Sequence, residues 1–248
     1  MNASVSSASL RASRRSIHLP LALLAVAIAV TGFWRTYFGP LFAGVVRTDW
    51  LLHLHVAVFV GWIVLVGLQA WLAASGRVAL HVRVGRFGML YGIGLVIVGL
   101  VFALVTFMRR IAVVGPDALH GAFLVPLTDM GVFSTFLAGA WITRRRPEYH
   151  RRFILLATTT LLIAAVGRTF GGTTSIAFRD VFPFLLVWLS PVWVAMLYDA
   201  FKSRSVHVVY LVGALVLIAL RYRQLIRETD AWMTFSRHFA HWVADHLM

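Results

Sequence analysis

The stretch HVRVGRFGMLYGIGLVIVGLVFALVTFM, residues 81–108, opens on a histidine among arginines and then runs from Phe87 to Met108 without a charge. An apolar run of ~20 residues is what an α-helix needs to cross the hydrocarbon core of a bilayer. No water reaches the backbone there, so its polar groups must be satisfied within the segment, and a helix does this. Six further runs flank it: Leu19–Tyr37, Leu51–Ala74, Leu119–Thr143, Phe153–Gly171, Val181–Phe201 and the shorter Val206–Leu220. The expected fold is an all-α integral membrane helical bundle of seven spans.

Composition points the same way. Apolar residues make up 60% of the 248 and charged residues 13%, with a mean hydropathy of +0.83. A soluble domain is about half apolar and a quarter charged. The runs fill the chain nearly end to end, so one membrane domain is expected over 19–220, with its core over 51–171. The net charge of +14 would suggest nucleic acid in a soluble protein. Here the charges cluster between apolar runs, so the expected partner is the lipid bilayer and not nucleic acid. There is no cysteine, which excludes disulfides, thiolate metal sites and thioether-linked haem.

The arginines alternate in density. Arg11, Arg14 and Arg15 precede the first span. Arg77, Arg83 and Arg86 fill the second loop, Arg144–Arg146, Arg151 and Arg152 the fourth, and Lys202 and Arg204 the sixth. Each segment on the other side carries a single net positive charge. The asymmetry places residues 1–18 and these loops in the cytoplasm. Lys202 is the only lysine, a usage like that of a GC-rich bacterial genome, so a bacterial cytoplasmic (inner) membrane is expected. The first span continues into Phe33, Trp34, Tyr37 and Phe38 and reads as an uncleaved anchor. Beyond Leu220, Trp232, Phe235, Phe239 and Trp242 recur at three- and four-residue spacings. Residues 221–248 read as an amphipathic helix on the outer face, or packed on the bundle.

Four histidines mark consecutive span entrances. His55 (or His53) opens the second span and His120 the fourth, while His81 and His150 precede the third and fifth. His55 leads to Trp71, Arg77 and His81; His120 leads to Trp141, Arg144 and His150. This suggests a parallel internal repeat in a four-helix core of spans two to five. Spans two and four enter from one side, so His55 and His120 share a depth; His81 and His150 share the other. His53 and His55 lie ~200° apart around a helix, so one of them faces the core.

Neutral imidazole ligates metals and haem iron. Two imidazoles at one depth are the minimum for a bis-histidine b-type haem. Arg168 stands where it could meet haem carboxylates on the outer side, and Arg83, Arg86, Arg151 and Arg152 on the inner. Gly85, Gly88, Gly92, Gly94 and Gly99 would leave room for a macrocycle. This layout resembles the trans-membrane di-haem b-type cytochromes, whose ligands come from alternate helices. The resemblance covers roughly Leu51–Gly171 and implies one or two haem b groups, held by His55 with His120 and by His81 with His150. It further implies transmembrane electron transfer, an oxidoreductase-type activity, with a redox partner or quinone. HVRVGR (81–86) and RPEYHRR (146–152) are also similar to basic loops of uncharacterised bacterial multi-span membrane proteins. Interfacial histidines beside snorkelling arginines would give the same spacing.

Asp129 falls mid-span, where a carboxylate is costly and is paired or functional. Arg168, one helix away, is its expected partner. The pair is either structural or the centre of a cofactor-free transporter or proton-coupled permease; a purely structural membrane subunit is the third reading. Pro126, Pro183 and Pro191 are expected to kink spans four and six. No P-loop, His-Glu-x-x-His or Gly-x-Ser-x-Gly occurs.

Overall fold

The computed structural model describes residues 17–45, 49–119, 121, 123–171 and 177–248. Among these every regular element is helical: α1 (His18–Phe42), α2 (Trp50–Ala74), α3 (Val78–Val114), α4 (Leu124–Ile142), α5 (Pro147–Thr169), α6 (Phe178–Trp188), α7 (Ser190–Ser203), α8 (Val208–Arg227) and α9 (Asp230–Leu247). Six of them are long and apolar enough to cross a membrane, and the α6–α7 pair makes a seventh if it is one bent span. These helices fit a multi-span membrane protein.

Local chemistry sets the boundaries. The Asp49 carboxylate caps α2 by accepting from the Leu51 and Leu52 N–H groups at 3.2 and 3.4 Å. Pro147 occupies the first position of α5, where a helix has no use for the missing N–H. Gly115, at φ +79°, follows α3 in a conformation open to glycine. The third helix is much longer than its apolar run, taking in His81, Arg83 and Arg86, which the sequence had placed in a turn. Helix propensity carries the chain past the bilayer edge, because nothing between Val78 and Phe87 breaks it. Pro126 sits in the first turn of α4, where no helical hydrogen bond is lost, so it does not kink that helix. The sixth run does bend: α6 and α7 meet at 68°, with the break just before Pro191.

Packing radiates from α5, which touches α1, α4, α6, α7 and α8. Its window of highest hydropathy averages only 1.4, yet 61% of it is buried; α2 averages 2.3 and is 11% buried. The more apolar helix of the two therefore faces outward, as expected when the solvent is lipid, and the Thr158–Thr160 helix lies inside. The expected core of spans two to five is joined by α1, packed against both α2 and α5. Glycines permit the close approaches. A Cβ on Gly32 would stand 2.4 Å from the Ala165 carbonyl oxygen, so α1 meets α5 nearly backbone to backbone. The tail helix α9 packs on the far end of α3, where Ala240 and Val243 close a cluster with Phe107, Ile111 and Leu119. His241 Nε2 lies 3.0 Å from an Asp117 carboxylate oxygen, tying α9 to the turn after α3.

Candidate functional site: two stacked histidine cavities

Helices α1 to α5 alternate in direction, and they enclose one cavity at each end of the group. The first lies where α1, α3 and α5 begin and α2 ends. It has a volume of about 160 Å3 and is lined by His18, His81 and His150 with Gln69, Gly85, Gly88, Met89, Arg151 and Thr159. The second lies where α2 and α4 begin and α1, α3 and α5 end. Its volume is about 310 Å3; His55, Arg110, Asp129 and Arg168 supply its polar wall, and Phe33, Phe59, Phe102 and Phe107 much of the rest. Along α2, His55 and Gln69 are fourteen residues apart, about 21 Å at 1.5 Å per residue, and the linings of the two cavities meet at Trp62 and Ile63.

His150 stands in the first turn of α5, and its Nδ1 lies 2.8 Å from the Ala140 carbonyl oxygen on α4. A carbonyl only accepts, so Nδ1 carries the proton and Nε2 keeps its lone pair. His81, on the first turn of α3, has Nδ1 3.3 Å from the Gln69 carbonyl, and the Gln69 side-chain amide lies against the same ring. The two rings line the same cavity. His18 is the third imidazole lining this cavity and was not singled out from sequence. Its one signal is position, directly before the first apolar run and on the same expected side as His81 and His150.

His55 lies between two aromatic rings, with centroids 4.3 Å from both Phe59 and Phe102. Its Nδ1 is buried and has no hydrogen-bond partner among the described residues. His53 turns elsewhere, with Nδ1 2.8 Å from the Tyr37 hydroxyl oxygen. Of the two, His55 lines the second cavity. His120 lies outside the described residues.

The cations divide unevenly. Arg168 lines the second cavity, donating to the Ala164 carbonyl at 2.9 Å with its guanidinium 4.6 Å from the centre of the Phe33 ring. Arg151 lines the first. Arg83 is exposed on α3 and lines neither. The expected Asp129–Arg168 pair does not form. Asp129 pairs with Arg223, which also donates to the Thr128 hydroxyl at 3.2 Å. Arg223 follows the last apolar run, and the break in α8 at Tyr222–Arg223 turns it back into the bundle. A second buried pair, Arg152–Asp199, lies at the other end, with the Arg152 guanidinium over the Tyr210 ring.

A wall separates the cavities. The Trp62 indole is buried there, donating to the Thr158 hydroxyl at 3.2 Å and meeting Phe133 edge-on at 5.2 Å. At the turns, Arg77 stacks on Trp71 at 4.7 Å and Arg144 on Trp141 at 4.3 Å. Outside the helices, Asp49 is held below the usual carboxylate range, chiefly by its hydrogen bond from Arg109, and this pair ties the start of α2 to the end of α3. Comparison of the chain with protein-family models, curated proteins and solved structures finds no match.

Two features test the site for haem. The donor set fits: two imidazoles, one with its Nδ1–H held by a backbone carbonyl, the other in an aromatic slot with an Nδ1 that meets no partner among the described residues. Space differs. The larger cavity reaches the ~300 Å3 at which cofactor pockets begin, whereas the smaller admits a macrocycle only if side chains such as Met89 and Leu65 swing aside.

Proposed function

We propose that this chain is a multi-span protein of a bacterial cytoplasmic membrane that binds b-type haem at both histidine cavities and carries electrons across the bilayer. One observation supports the reading above the rest: His81 and His150, expected from sequence to share a depth, line one cavity, and His55 lines another at the opposite end of the same helix group. Bound haem supplies a one-electron iron couple. The chain's residues bind, orient and insulate it. His150 and His81 offer imidazoles at one end, taken as cytoplasmic, and His55 offers one at the other, where the sequence expectation supplies His120 as its partner. The Ala140 carbonyl orients His150 and makes its ring a stronger base. Arg151 and Arg168 lie where carboxylates of the group would need cations. The phenylalanine lining of the outer cavity keeps water away. A soluble redox partner or a quinone would complete the circuit. The matching Trp–Arg stacks support reading α2–α3 and α4–α5 as a parallel repeat about the membrane normal.

The test is vesicle electron transfer. Purified protein is reconstituted around trapped ferricyanide, and a membrane-impermeant reductant is added outside. Ferricyanide bleaching in loaded vesicles, absent from protein-free vesicles and from His150→Ala vesicles, is expected. Equal rates in all three would overturn the proposal.

A second reading has its own observation. Asp129 borders two cavities at once, the outer histidine cavity and an arginine-lined hollow beside it, as the carrier of a proton-coupled transporter would. A colourless, folded protein whose transport vanishes in Asp129→Asn would select it.

A further inference from the structure

The turns that close α2–α3 and α4–α5 carry the same small structure. Arg77 folds back over Trp71 with its guanidinium 4.7 Å from the ring centre, and Arg144 lies over Trp141 at 4.3 Å. Both indoles are 42% exposed, and both arginines are exposed. Arg144 also donates to the Trp141 carbonyl at 2.9 Å, which fixes its stack. Neither arginine forms an ion pair among the described residues.

The neighbouring helices set the depth of the stacks. Gln69, two residues before Trp71, lies against Gly85, two residues before the apolar run of α3 begins at Phe87. Gly139, two residues before Trp141, lies against Phe153, where the apolar run of α5 begins. At 1.5 Å per residue the indoles stand roughly 6 and 3 Å outside the ends of those runs. The polar layer on each side of a bilayer extends about 5–7 Å beyond the hydrocarbon. Folding back on the indole therefore holds each guanidinium at headgroup depth, the level that tryptophan itself favours.

Charge names the occupant. Arg83, Arg86, Arg145 and Arg146 are also exposed at this end and form no ion pair among the described residues, while Glu148 is an exposed carboxylate there. At the opposite end Arg109 and Arg223 are already engaged by Asp49 and Asp129. A guanidinium lying flat on an indole keeps N–H edges free, and its planar fork matches the paired oxygens of a phosphate. Clustered arginines beside a bilayer draw anionic lipids to that surface. We propose that each Trp–Arg stack is a binding site for the headgroup phosphate of an anionic phospholipid. The two sites are of one kind, related as α2–α3 is to α4–α5. They lie outside both histidine cavities and are independent of haem.

The experiment is native mass spectrometry of the full chain in an uncharged detergent, with phosphatidylglycerol titrated against phosphatidylcholine. Two saturable phosphatidylglycerol adducts are expected, with phosphatidylcholine at least tenfold weaker. Arg77→Gln and Arg144→Gln should each remove one adduct, and the double variant both. Trp71→Ala, which keeps every charge but removes the platform, should remove the same adduct as Arg77→Gln. Arg179→Gln, exposed at the other end of the bundle, should remove neither. Equal binding of the two lipids overturns the proposal, as do adducts that survive in the double variant. Loss in Arg77→Gln with none in Trp71→Ala would overturn it too, because net charge alone would then hold the lipid. Displacement of the adducts by millimolar inorganic phosphate would assign the arginines to a soluble anion and overturn the lipid site. Binding is read by mass, so the result stands whether or not the chain holds haem.

Discussion

At one end of the bundle, three imidazoles share a small hollow and a backbone carbonyl fixes the proton of His150. At the other, His55 is gripped by Phe59 and Phe102, its Nδ1 bound to nothing among the described residues, and the cavity around it is twice as large and rich in charge. The same residue type is therefore positioned by two different means. Hydrogen bonding sets the orientation of His150 and leaves its Nε2 lone pair toward the cavity side chains. Aromatic packing sets the orientation of His55, and Arg168, Arg110 and Asp129 supply the charged wall of its cavity.

The strongest way to break this comparison is to remove each end separately. His150→Ala is expected to take away the haem of its own cavity and leave the other, and His55→Ala the reverse; the double variant should be colourless. Pyridine haemochrome content per chain measures this, and loss of all haem in either single variant would show that the cavities are not independent. The ion pairs come next. Asp129→Asn and Asp199→Asn each strand a buried guanidinium, at a cost of about 3–5 kcal/mol. Thermal unfolding should show both losses, with the spectrum of the neighbouring cavity disturbed first. A midpoint equal to wild type in either variant would mean that water or lipid headgroups already solvate that pair.

The wall between the cavities gives a finer test. A Cβ on Gly92 would stand 2.6 Å from Leu137 Cδ2, whereas one on Gly94 meets nothing within 4 Å. Gly92→Ala should therefore destabilise by ~1–3 kcal/mol. Gly94→Ala should stabilise by up to ~1 kcal/mol through helix propensity. Equal effects in unfolding titrations would show that the wall is looser than described. The potentials sharpen the contrast in chemistry. A carbonyl-bonded imidazole is the stronger base and favours oxidised iron, so the component lost in His150→Ala should be the lower of two potentials in a redox titration. The reverse order would mean that the cations near His55 do not set its electrostatics.

The smallest expected effect is a pH dependence at the α2–α3 clamp. Asp49 has a lower pKa folded than unfolded, so its contribution is complete above the ordinary carboxylate value of 3.8 and fades as pH falls through the lowered one. The difference in thermal midpoint between wild type and Asp49→Asn should stay constant from neutral pH down to about 5 and shrink only below about 4. A difference that changes around neutrality would assign the clamp to another group.

Much of the bundle was legible because lipid leaves one solution for a long apolar run. The runs beginning at Leu51 and Phe153 correspond to α2 and α5, and His81 and His150 line one cavity; the expected partner of His55, His120, lies outside the described residues. Three things were not legible. The length of α3 was hidden because helix propensity over Val78–Arg86 is not an apolar signal. The partner of Asp129 was hidden because Arg223 lies 94 residues away, beyond the last apolar run. The place of α1 in both cavities was hidden because Gly32 reads as any small residue until Ala165 is set against it. His18 belongs with that third case: it comes into the cavity only with the helix that carries it.

The account rests on whether the imidazoles at the two ends hold iron. The most direct measurement is the visible spectrum of detergent-purified protein, expressed with ample haem, before and after dithionite. The account predicts a Soret band with α and β bands on reduction, at two haems per chain. A flat spectrum from well-folded protein would contradict it and leave Asp129 and the arginine-lined hollow as the functional centre.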